Sequence, residues 1–145
     1  MEQLIAPYGG KPVDLLVPPA RAEELKKEAL SLSSIDLDWR QIGELEMLMS
    51  GAYAPLQGYM GRADYESVLE KLSLADGTAW TMPLTLRLKA KQVASLKAGD
   101  RVALRDSEGF MLAVLDIAEL WQSNTTDERR MLERSLAPDG VDLTD

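Results

Sequence analysis

Arg101-Val102-Ala103-Leu104-Arg105-Asp106-Ser107-Glu108-Gly109-Phe110-Met111-Leu112-Ala113-Val114-Leu115-Asp116 decides the fold class. Two apolar runs, Arg101–Arg105 and Phe110–Asp116, flank the turn-forming residues Asp106-Ser107-Glu108-Gly109. That spacing predicts a β-hairpin with a four-residue loop. Upstream, Trp80, Met82, Leu84, Leu86 and Leu88 alternate with Thr81, Pro83, Thr85 and Arg87. A period of two predicts a further strand, placed at an edge or bulge because Pro83 has no N–H to give a ladder. A short helical piece over 91–96 and the turn Lys97-Ala98-Gly99-Asp100 separate the two regions.

Before Trp80 the period is helical. Pro19 suits the first turn of a helix over 20–30, with Ala22, Leu25 and Ala29 on one stripe. Asp38 and Gln41 form a capping-box pattern opening a second helix, which carries Ile42, Leu45, Leu48 and Met49 and ends at Gly51. Tyr65, Val68, Leu69 and Leu72 recur at helical spacing in a third, and Asp76-Gly77 is a turn. Thr125-x-x-Glu128 reads as the capping box of a last helix with Leu132 and Leu136, stopped by Pro138-Asp139-Gly140. Residues 4–19, with Gly9-Gly10 and four prolines, read as an extended arm holding the short apolar piece Val13–Val17. Helices first and strands afterwards, without βαβ alternation, predict one α+β domain with a mostly antiparallel or mixed sheet.

Composition narrows the chemistry. The chain has 145 residues, the size of one domain, with a net charge of −8, no cysteine and no histidine. Disulfides and thiolate sites are excluded, as are Ser-His-Asp triads and zinc sites of His or Cys ligands. An acidic chain repels polyanions, and the basic residues of 101–106 and 127–134 interleave with acids, so nucleic acid is not an expected partner. No apolar run approaches the ~20 residues of a membrane span, and Met1–Pro7 lacks the marks of a signal peptide. These features predict a cytoplasmic chain.

Gly9-Gly10-Lys11 lacks the rest of a phosphate loop, since Ile5 stands where its first glycine belongs and Pro12 follows the lysine. A tight turn is the better reading. The carboxylates at Glu23, Glu24, Asp36, Asp38, Glu44 and Glu46 lie near helix starts or on polar faces, as solvated charges do. No catalytic residue, cofactor site or metal ligand is assigned. The loop Gly51–Gly61 is the least ordinary segment. Tyr53, Leu56, Tyr59 and Met60 between its glycines are a candidate interface, or else side chains that cap the core below a tight loop.

At this point an ordered series of motifs resembles the amino-terminal domain of ATP sulfurylases (sulfate adenylyltransferases), closest in look to bacterial forms fused to an APS kinase. Ile5-Ala6-Pro7-Tyr8-Gly9-Gly10-Lys11 and Leu15-Leu16-Val17-Pro18 resemble the family's start. Gly51-Ala52-Tyr53-Ala54-Pro55-Leu56-Gln57-Gly58-Tyr59-Met60 is similar to its Gly-x-Phe-Ser-Pro-Leu-x-Gly-Phe-Met, with Tyr for Phe twice and Ala54 for Ser. Asp64-Tyr65-x-x-Val68-Leu69, Leu74-Ala75-Asp76-Gly77-Thr78-x-Trp80, Thr81-Met82-Pro83-Leu84-Thr85-Leu86 and Gly99–Asp106 follow in order. The resemblance runs from Leu4 to about Trp121.

It implies a PUA-like mixed-sheet or pseudo-barrel domain over residues 1–122, then a helix and tail over 123–145 leading to a catalytic domain. It further implies a non-catalytic, scaffolding role in making adenosine 5′-phosphosulfate and pyrophosphate from ATP and sulfate. The implied partners are the catalytic domain, in cis or in trans, an APS kinase domain, and further copies of the chain. The family's Gln-x-Arg-Asn and His-x-x-His motifs have no counterpart here, so the chain alone is expected to be inactive. A stand-alone PUA-like module binding RNA or a small molecule is the alternative.

Overall fold

The computed structural model describes residues 5–136, with side chains through residue 132. The predicted hairpin is present as β2 (Arg101–Arg105) and β3 (Met111–Asp116), paired antiparallel with Val102 opposite Leu115 and Leu104 opposite Ala113. The register shifts between Leu104 and Arg105, where the strand bends into its loop. Asp106 closes that loop, its side chain accepting from the N–H groups of Glu108 (3.0 Å) and Phe110 (2.8 Å). An aspartate at the start of a turn commonly does this.

Two further helices frame this sheet. α1 (Pro19–Glu28) has its proline in the first turn, and α2 (Trp39–Met49) opens with the capping box at Asp38 and Gln41. Asp38 accepts from the Gln41 N–H at 2.9 Å, and Gln41 accepts from the Asp38 N–H at 3.0 Å. Replacing Asp38 with alanine orphans a donor at the helix start. We expect a loss of about 1 kcal/mol in urea unfolding, and an unchanged midpoint would show that the cap contributes nothing.

Between these helices lies a strand that the sequence does not announce. β1 (Ser33–Asp36) pairs parallel to β2, with Ser33 opposite Val102 and Asp36 opposite Arg105. The sheet order is β1-β2-β3, so β2 is central. Its run of Val102, Ala103 and Leu104 is buried without alternation, as expected for a strand covered on both faces. Ile35, Leu37, Leu45, Val102, Leu104 and Ile117 form the core here. Arg101 ties the sheet to α1, bonding Asp116 at 2.6 Å and also Glu28.

The strand expected over 80–88 does not form. One bond to this stretch, from the Met60 N–H to the Leu84 carbonyl (2.9 Å), resembles a ladder rung. The Trp80 indole instead donates to the Met82 carbonyl at 2.6 Å, turning the chain just before Pro83. Leu84 is buried, but Met82, two residues before it and on the same face of the expected strand, is exposed, and Pro83 interrupts the backbone between them. The short helix expected over 91–96 is a single turn, Ala90–Val93.

The described residues divide into two compact units, one drawn from residues 5–59 and Leu86–Glu119, the other from Met60–Thr85 and residues 120–136. The sheet, α1 and α2 belong to the first. The second is built on two helices, here called by their ranges, Arg62–Lys71 and Thr125–Leu136. Tyr65, Leu69 and Met131 form its core, with Leu72 and Trp121 packed against them. The later helix is not capped by Thr125, as the sequence suggested, but by Asn124, whose side-chain oxygen accepts from the Asp127 N–H at 3.2 Å. Glu128 is drawn elsewhere, accepting from the Tyr65 hydroxyl at 2.6 Å. The expected stop at Pro138-Asp139-Gly140 lies outside the described residues.

Candidate functional site

The loop after α2 begins where the Gly51 backbone turns left-handed, as the sequence anticipates for a helix-ending glycine. Tight local bonds follow, from the Ala54 N–H to the Gly51 carbonyl (3.0 Å) and from the Leu56 N–H to the Tyr53 carbonyl (2.9 Å). Of the four candidate interface residues, Leu56 and Met60 are 7% and 3% exposed, so their side chains are core. Tyr53 and Tyr59 are half-buried.

Tyr59 is unusual. Its hydroxyl is buried without a hydrogen-bond partner among the described residues, and burial, with the Glu44 charge as a lesser cause, raises its pKa well above the ordinary phenol value. Burial likewise lifts the Glu44 carboxyl above its usual range, with the Arg40 charge opposing. A neutral, unpartnered hydroxyl costs desolvation without return. We expect Tyr59→Phe to unfold at the same temperature as the parent or higher, by up to about 1 kcal/mol of stability. A clear drop in melting temperature would show that the hydroxyl has a partner in solution.

The second unit holds a cleft that sequence reasoning missed. It encloses about 940 Å³ between the Arg62–Lys71 helix, the Thr125–Leu136 helix and the segment before the latter. Tyr65, Leu69 and Trp121 supply its apolar lining, the Tyr65 and Trp121 rings lying 5.9 Å apart and tilted by 54°. Tyr65 also organises the wall, accepting from the Asn124 N–H at 3.0 Å while donating to Glu128. Charges on the rim pair within each helix, Arg62 with Glu66 at 2.7 Å and Arg130 with Asp127 at 3.4 Å. Glu70 also lines the cleft, and its ion-pair partner is its own neighbour Lys71, at 3.8 Å. The helical stripe at Tyr65 and Leu69 was legible; that Trp121, far along the chain, packs beside it was not.

Among the described residues no group of three or more His, Cys, Asp or Glu side chains is arranged to hold a metal ion. No described helix is long and apolar enough to cross a membrane.

Comparisons with known proteins agree on one family. The family model described as a PUA-like domain matches residues 5–134. Sulfate adenylyltransferase of Synechococcus sp. (strain JA-3-3Ab) is 40% identical over 131 residues, 90% of this chain and 33% of that protein. A probable bifunctional SAT/APS kinase 2 of Sorangium cellulosum is 35% identical over 132 residues, 91% of this chain and 23% of that protein. Among solved structures, the hexameric APS kinase from Thiobacillus denitrificans superposes with a TM-score of 0.75 at 50% identity, over 83% of this chain and 24% of that one. The chain thus spans about a third or less of the length of these relatives. With its mixed three-stranded sheet, its helices and a family match over nearly its whole length, the chain belongs to the PUA-like domain family, in the form found in sulfate adenylyltransferases.

Proposed function

We propose that this chain is the non-catalytic amino-terminal domain of a sulfate adenylyltransferase, holding the catalytic domain and neighbouring subunits in place. One observation carries the reading: identity to the Synechococcus relative extends over 90% of this chain but 33% of that protein. The resemblance sets the reaction as ATP and sulfate going to adenosine 5′-phosphosulfate and pyrophosphate, and the residues that the family uses for it have no counterpart in this sequence. With no histidine and no Gln-x-Arg-Asn, the chain lacks the groups that hold ATP phosphates and sulfate in the family.

The surface suits a scaffold. In the first unit, Trp39 and Phe110 are 81% and 67% exposed. Both emerge where β2 ends. The Leu37 N–H bonds the Arg105 carbonyl two residues before Trp39, and Phe110 closes the hairpin loop onto Asp106. Large rings in water at the end of a sheet favour a protein partner. Tyr53 and Tyr59 add partly exposed edges, with Leu56 and Met60 holding their loop from behind. The domain works in the cytoplasm, the site of the assimilation pathway that the resemblance implies.

An antibody raised against this chain tests the reading on source-cell lysate. A band well above 16.0 kDa is expected, because the domain belongs to a longer polypeptide. A single band at 16.0 kDa would overturn the fused form, and sulfurylase turnover by the purified chain would overturn the non-catalytic role.

A further inference from the structure

We propose that the outer edge of β3 is a docking site, and that its occupant is β3 of a second copy of this chain. The two strands pair antiparallel and join two sheets into one. The inference goes beyond the scaffolding role and does not depend on it.

The backbone shows which groups of β3 are free to pair. Just past the strand, the Ile117 carbonyl accepts from the Gly99 N–H at 2.7 Å, and the Ile117 N–H donates to the Asp100 carbonyl at 2.8 Å. Both groups of Ile117 thus face the β2 side. Along a strand these directions alternate, so Leu115 and Ala113 also face β2, while Leu112, Val114 and Asp116 face away. None of those outward N–H and C=O groups has a hydrogen-bond partner among the described residues. No other described strand pairs with β3, which ends the sheet order β1-β2-β3. A row of unpaired groups on an edge strand is a template for another strand.

The residues of β3 do not guard this edge. Sheets commonly protect an edge with a lysine, a proline or an inward charge, and Met111-Leu112-Ala113-Val114-Leu115 contains none of these. Register with β2 is unbroken from Ala113 to Asp116, so no bulge twists that part of the strand away. The opposite edge, β1, is four residues long and polar at Ser33, Ser34 and Asp36.

A second copy is the occupant because the edge complements itself. A twofold axis at Val114 sets Val114 against its counterpart and Leu112 against Asp116, so that each outward N–H meets a carbonyl. Ala113 comes opposite Leu115, small against large. No like charges face each other across the paired strands, since Asp116 meets Leu112 and its carboxylate is already held by Arg101 at 2.6 Å. Any extended segment bonds such a backbone; the same segment, inverted, also matches the side chains.

Sedimentation equilibrium of the 145-residue chain over a range of concentrations tests the pairing, together with hydrogen exchange at the Val114 amide. The mass should rise from 16.0 kDa toward twice that value, and the Val114 amide should gain protection as it does. Val114→Pro removes the central outward donor but no bond to β2, a position where an edge strand tolerates proline. It should weaken association about tenfold, since each copy loses one hydrogen bond to the other. Ser34→Pro is the control. The Leu37 N–H bonds the Arg105 carbonyl of β2, so by alternation the Ser34 N–H faces away on β1, and this variant should associate like the parent. Circular dichroism confirms that the variants fold; if Val114→Pro does not, Val114→Lys carries the test by placing a charge on the same edge. A monomer at every concentration overturns the proposal. So does a Val114 amide protected equally at all concentrations, which would mean that a segment of the same copy, such as residues 86–88, fills the edge. Association that the Val114 variant leaves unchanged, or that Ser34→Pro weakens as much, also overturns it.

Discussion

Replacing Tyr65 with alanine should destabilise the second unit by about 3–5 kcal/mol, the cost of deleting a large aromatic from a packed core. Tyr65 is 2% exposed and packs with Leu69, Met131 and Trp121. Its loss opens a cavity and also removes the hydroxyl that accepts from Asn124 and donates to Glu128. Tyr65→Phe separates these contributions. It keeps the ring and should cost about 1–2 kcal/mol, the penalty for losing the hydroxyl's bonds to the Asn124 N–H and to Glu128. Thermal unfolding followed at Trp121 reads both variants. Equal losses for Ala and Phe would mean that the hydroxyl network, not the ring packing, holds the two helices together.

The second large effect is expected at Gly51. Its backbone has φ +78°, and a Cβ placed there would lie 1.9 Å from the Val13 carbonyl oxygen. The obstacle is backbone, so no side-chain rotation relieves it. Gly51→Ala should cost about 3 kcal/mol or more, of which about 1–2 is the left-handed conformation itself and the rest is displacement of the arm. Gly77 is the control, with φ +88° and nothing within 4 Å of its would-be Cβ. Gly77→Ala should show the conformational cost alone, about 1–2 kcal/mol. If urea midpoints for the two variants coincide, the arm does not press on Gly51 in solution.

Much of this architecture was legible from residues. The hairpin was, because Val102–Leu104 and Leu112–Leu115 carry apolar runs either side of Asp106-Ser107-Glu108-Gly109, and the turn chemistry fixes their spacing. The start of α2 was, because Asp38 and Gln41 satisfy each other locally. β1 was not. Ser33-Ser34-Ile35-Asp36 buries Ile35 alone, and four residues with one core side chain give no periodicity. Its strand character comes from β2, which is remote in sequence. The region 80–88 erred the other way, since its residue types alternate while its backbone is broken at Pro83 and Met82 lies exposed on the face that buries Leu84. The last helix was placed one residue late at its cap because Thr125 and Asn124 are both good caps, and only the Tyr65 hydroxyl, which claims Glu128, decides between them.

The candidate interface in the Gly51–Gly61 loop was legible as unusual, though the sequence could not say which of its side chains point inward. Burial of Leu56 and Met60 depends on the core beneath them, not on the loop's own pattern. The cleft depends on a pairing between residues 65 and 121, which local patterns do not encode.

The parallel pairing of β1 with β2 has a kinetic consequence. The hairpin can close as soon as Asp116 exists, since its partners are neighbours along the chain. β1 joins only after a loop from Asp36 to Arg101 has been drawn in, and the entropy of that closure is lost before any contact repays it. During synthesis Ser33–Asp36 emerges long before its partner is made. The chain therefore assembles its sheet from the carboxyl side, with the hairpin as the template on which the earlier strand condenses.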